Sequence, residues 1–68
     1  MTKTYRIQCR NNADAVRIGN RSVRVPGAVR SRHLGRKTVL VTSVEILITE
    51  KWLDSAHEVE SWTVEETV

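Results

Sequence analysis

Arg21, Arg24, Arg30, Arg32, His33, Arg36 and Lys37 crowd into seventeen consecutive residues, and Arg17 stands just ahead of them. A guanidinium presents a planar fork of donors that grips a phosphate or a carboxylate at two points, which an ammonium cannot do. Arginines therefore suit a site that neutralises phosphates or docks on an acidic protein surface. The plainer expectation is a solvated face, or pairing with acids of the same chain. Cross-strand ion pairs of that kind contribute only about 0.2–1 kcal/mol each.

The complementary chemistry lies at the other end. Glu58, Glu60, Glu65 and Glu66 flank Trp62 and Val64. They form either an acidic edge for docking or a solubilising final strand. Residues 1–37 carry +9 and residues 38–68 carry −6, so a net charge of +3 hides a strong polarity along the chain. Such asymmetry points to a charged partner, or to copies that meet through opposite patches. A contact between unlike patches is heterologous, and it builds rings or filaments according to whether the rotation closes.

Other reactive residue types lack a setting. Asp54, His57 and Glu58 are close enough in sequence to be ligands or an acid–base pair, but Ser61 stands where a second metal-binding histidine would be needed. His33 has no carboxylate near it in sequence and suits a phosphate contact or a helix cap. The serines lack the strand–turn–helix context of a nucleophile. Gly19, Gly27 and Gly35 are spaced as turn residues and not as a phosphate-cradling loop. Cys9 is the single cysteine, which excludes an intrachain disulfide and reads as a small core residue. No catalytic residue, metal site or cofactor is expected.

The elements that must position these side chains follow from composition. Ten Val and four Ile stand against four Leu and no Phe. β-Branched side chains suit a pleated surface better than a helix. Tyr5, Ile7 and Cys9 alternate with polar residues as a half-buried strand does. Asn11 to Asp14 reads as a turn. Val16 and Ile18, then Val23 and Val25, read as a hairpin with Arg17 and Arg24 outward and Arg21 at its tip. Residues 28–34 fit either two helical turns capped by Gly35 or a basic loop.

The segment 37–53 is the longest apolar stretch. Val39 and Val41 are odd-numbered, whereas Val44, Ile46 and Ile48 are even-numbered. A strand whose inward parity flips near Thr42-Ser43 needs a bulge there. The competing helix would use Val44, Leu47, Ile48 and Trp52, started by a capping box at Thr42 to Glu45; the β-branched content favours the strand. Residues 55–62 stay open between strand and short helix. Trp52 and Trp62 serve as core anchors or interface seals.

Sixty-eight residues make a single domain, 1–68. A chain this short buries about 60% of its unfolded surface, and its core rarely supplies more than roughly 3–5 kcal/mol, so help from a partner is expected. Neither a signal peptide nor a membrane-spanning run is visible, so the expected location is cytoplasmic, or within a particle assembled there. The expected fold is mainly β: a small antiparallel β-barrel or β-roll of four to six strands, with the short helix near 28–34 as an option.

The expected function is that of a non-enzymatic assembly or interaction protein. It would dock by its Arg-rich face and acidic edge onto a protein partner or onto copies of itself. A structural, cement or adaptor subunit of a virus-like particle would suit these properties, although no motif carries that context. The alternative is a compact nucleic-acid-binding protein that contacts phosphates through residues 21–37. Against it, both tryptophans lie in the acidic half, away from the arginines, and no helix-turn-helix, zinc-finger or RNP signature is present. A small inhibitor of a host factor is the third expectation.

Overall fold

The computed structural model describes the backbone of residues 1–67 and the side chains of residues 1–65. Six elements follow one another: β1 (Lys3–Cys9), α1 (Asn12–Ser22), β2 (Ala28–Gly35), β3 (Thr38–Ser43), α2 (Ile46–Ser55) and β4 (Val59–Thr67). The four strands form one sheet in the order β2-β3-β1-β4, and every neighbouring pair is antiparallel. The mainly β architecture is as expected. The sheet is open, however: β2 and β4 are its two free edges, and it does not close into a barrel. The element order β-α-β-β-α-β with two interleaved crossovers is a split β-α-β arrangement.

Two segments differ from the expected strands and turns. Residues 12–22 are a helix and not half of a hairpin. Asn11 stands at its N-cap with an extended backbone, and its Oδ1 accepts the Asp14 amide at 2.8 Å. Ala15, Ile18 and Ser22 recur at helical spacing and face the sheet. Residues 46–55 are also helical. The parity flip after Val41 marks the place where the chain leaves β3 and turns into α2, so no bulge is required. The buried face of α2 is Thr49 and Leu53, with Trp52 beside them, whereas Leu47 is 80% exposed.

The region 28–34 is neither helix nor loop but the edge strand β2. It is joined to β3 by Arg36-Lys37, both at positive φ (54° and 64°). Gly35 pairs with Thr38 across this two-residue loop. Positive φ at both loop positions matches the twist that a tight hairpin needs, and glycine or asparagine ordinarily supplies it. Residues 55–62 resolve into the end of α2, a turn, and the start of β4.

Both helices pack on one sheet face. The core is Tyr5, Ile7 and Cys9 of β1, Val39 and Val41 of β3, Ala15 and Ile18 of α1, and Leu53 of α2. Trp52, Ala56, Val59 and Trp62 pack against it. Trp62 meets Tyr5 edge-on, with ring centroids 5.5 Å apart, and its Nε1 donates to Asp54 Oδ1 at 3.0 Å. The Tyr5 hydroxyl donates to Glu50 Oε2 at 2.8 Å. Its ionisation is pushed well above the usual phenol range by burial first and by this carboxylate second. Thr49 donates to Ser43 Oγ at 2.7 Å, tying α2 to the end of β3. At Gly27 (φ +85°) any Cβ would run into Glu45, so the chain can pass there only as glycine.

Candidate docking surfaces

The sequence-expected basic residues are divided between two sides of the sheet. Arg17, Arg21 and Arg24 belong to α1 and the turn after it, on the covered side. Arg30 and Arg32 stand on β2, opposite Thr42 and Leu40 of β3, which in turn lie opposite Thr4 and Arg6 of β1. Tyr5, Ile7, Val39 and Val41 fill the other face, so these even-numbered positions point to the face that no helix covers. His33 lies opposite Val39, on the helix side of the same edge strand, and is exposed. Arg36 and Lys37 form the hairpin tip.

Internal pairing removes part of this charge. Arg10 and Arg17 both grip the buried Asp14, at 3.0 and 3.2 Å. Arg6 reaches Glu65 at 3.3 Å, and Lys3 reaches Glu50 at 3.8 Å. Arg21 donates to Glu58 Oε2 at 2.6 Å. Among the described residues, Arg24, Arg30, Arg32, Arg36 and Lys37 make no ion pair. The unpaired cations are therefore concentrated on β2, its hairpin and the turn leading to it.

The acidic group is divided too. Glu60 and Glu65 are exposed on the opposite edge strand, β4. The side chain of Glu66 lies outside the described residues. Glu58, expected on an exposed edge, is instead 2% exposed and occupied by Arg21. Its carboxyl is held below the usual range by a bond from its own backbone N–H, against the opposing pull of burial, and then by Arg21 and His57. The Oε1 atom has no hydrogen-bond partner, and His57 Nδ1 is 3.6 Å away. Asp54 is engaged by Trp62, so Asp54, His57 and Glu58 do not converge on one point. Among the described residues no group of three His, Cys, Asp or Glu side chains is placed to hold a metal.

Trp52 and Trp62 are both half-buried flank residues of the core. Cys9 is fully buried, and burial, followed by the charges of Asp14 and Glu58, pushes its thiol up, away from the reactive thiolate. No helix among the described residues is long and apolar enough to cross a membrane.

Two features could not be read from the residues alone. One is the set of hollows on the uncovered face. The first is lined by Thr4, Arg30, Arg32, Leu40 and Thr42. The second is lined by Arg6, Gln8, Leu34, Gly35, Arg36 and Thr38. The other is the pairing of edges, with exposed Val29 (66%) beside the basic residues of β2 and exposed Val64 (41%) beside the acids of β4. Both depend on strand order, for which no local signal exists. Comparison with protein-family models, curated proteins and solved structures found no match to this chain.

Proposed function

We propose that this chain is a non-enzymatic assembly protein whose basic edge strand β2 docks on the acidic edge strand β4 of another copy. The reading rests on one observation: the two free edges of a single antiparallel sheet carry opposite charge. Arg30 and Arg32 lie on one, and Glu60 and Glu65 on the other. Strand direction alternates throughout the sheet, so β2 and β4 run oppositely. A second copy placed alongside in the same orientation meets β4 with its own β2 antiparallel, which is the better-bonded ladder geometry. Val29 and Val64 would lose water in that contact. Unpaired edge backbone is a standing template for such pairing.

Both edges are also irregular. Register shifts fall at Ala28/Arg30 and His33/Gly35 on β2, and at Thr4/Tyr5 and Gln8/Cys9 where β4 meets β1. Bulges of this kind restrict indiscriminate edge pairing. They limit the regular stretches to residues 30–33 on β2 and 61–64 on β4, so charge must select the partner and the contact is weak and salt-sensitive. Exposed Leu47 on α2 adds an apolar contact point outside the ladder. A cement or adaptor role within a larger particle is one setting for such a subunit.

Light scattering on a sizing column tests the proposal. At about 50 mM salt the mass should exceed the 7.8 kDa of one copy and rise with concentration, then fall toward it at about 500 mM. Glu60→Lys and Arg32→Glu should each abolish association alone and restore it when mixed, because each supplies the edge that the other lacks. A single-copy mass at every salt and concentration rejects the reading.

A further inference from the structure

The uncovered sheet face lies between the two edges and shares Arg30 and Arg32 with the basic one. We infer that it is a docking surface for the phosphate backbone of a nucleic acid, bound by charge and shape without base reading. Charge complementarity carries the inference. Arg30 and Arg32 wall one hollow, and Arg6 and Arg36 wall the other. Arg30, Arg32 and Arg36 make no ion pair among the described residues, although carboxylates elsewhere in the chain do engage arginines. The floor between them is Thr4, Gln8, Thr38, Leu40 and Thr42. The Thr4 and Thr42 hydroxyls bond each other at 3.0 Å and the Thr38 hydroxyl donates within the chain, so the grip on phosphate falls to the arginine forks, which take its oxygens in pairs.

The face has no aromatic side chain, since Tyr5 and Trp62 both point to the core. Bases would have no platform to stack on, and this selects backbone contact over single-strand base recognition. Among the described side chains, Glu65 is the acid that opposes the surface; it lies 3.3 Å from Arg6 and competes with any phosphate there. Arg17, Arg21 and Arg24 sit on the far side of the sheet, and two of them already hold acids of the chain. They contribute no contact to the same ligand.

Fluorescence anisotropy with a labelled duplex and a labelled single strand provides the test. The protein is kept below the concentration at which light scattering shows association, so failure of edge pairing leaves the result intact. Wild-type binding should weaken with salt. The slope of log K against log salt should shrink by about 0.9 per arginine removed for a duplex, or about 0.7 for a single strand. Arg30→Ala with Arg32→Ala should therefore cut the duplex slope by about 1.8. Both side chains are exposed and unbonded among the described residues, so the variant keeps its fold, which circular dichroism verifies. Glu65→Gln should tighten binding by freeing Arg6, whereas Arg24→Ala should leave the slope unchanged.

Three results overturn the inference: no binding of either probe at about 20 mM salt, an Arg24→Ala loss equal to that of Arg30→Ala, or binding to phosphatidylserine vesicles without binding to either oligonucleotide.

Discussion

Glu58 places a carboxylate where water scarcely reaches it, with Arg21 on one oxygen and nothing bonded to the other. Such a group ties stability to pH. Its ordinary value of 4.5 is lowered in the fold, so its contribution is complete above that ordinary value and disappears as pH falls through the lowered one. Glu58→Gln should weaken the fold at about pH 7 and flatten the loss of stability between about pH 5 and pH 3. Urea midpoints for both proteins across that range check this, and parallel curves would show that Glu58 is not the titrating group. The residue was visible in the sequence as one acid of several. Its burial was not, because it arises from Arg21 on a helix thirty-seven residues away.

The hairpin between β2 and β3 is the element under most local strain. Arg36 and Lys37 both occupy left-handed backbone, which costs a side-chain-bearing residue roughly 1–2 kcal/mol. The turn is nevertheless pinned: the Lys37 N–H donates to Asn12 Oδ1 at 2.7 Å, and the Lys37 carbonyl accepts from the Cys9 N–H at 2.8 Å. Lys37→Gly keeps both bonds and removes the strain, while glycine's greater freedom in the unfolded chain offsets part of the gain. A net stabilisation of about 0.5–1 kcal/mol is expected from urea unfolding; a destabilised variant would show that the lysine side chain itself holds the turn.

Legibility at this scale follows local signal. Tyr5, Ile7 and Cys9 announced β1, and Val39 and Val41 announced β3, since each buries one face at a strict period of two. Asn11 with Asp14 three residues on was a helix start, overshadowed by the β-branched residues around Gly19-Asn20. The parity flip after Val41 signalled a change of period from strand to helix, and a bulge was the wrong inference from it. For α2 the inward face was misread as well, because Leu47 and Ile48 point outward and Thr49 points inward.

Strand order is a property of the whole molecule, and it decides which charges meet. The polarity along the chain persists in space at the sheet edges and fails near α1, where Asp14 and Glu58 quench three arginines. A core of eight buried hydrophobic residues among the described ones leaves a chain of this length little reserve. Association of folded copies adds stability by mass action. The thermal midpoint should therefore rise with protein concentration over about a tenfold range at low salt and become independent of it at high salt. A midpoint that ignores concentration in both conditions would mean that copies do not support one another.

Because α1 and α2 lie on a single flank, copies joined through β2 and β4 would build a two-sided ribbon. One surface would be plated with helices. The other would repeat Arg6 and Arg36 at every step, with Arg30 and Arg32 at each seam beside the acids of the neighbouring β4. A long polyanion laid along it would engage many subunits at once, so grip would scale with ribbon length even where a lone subunit holds weakly.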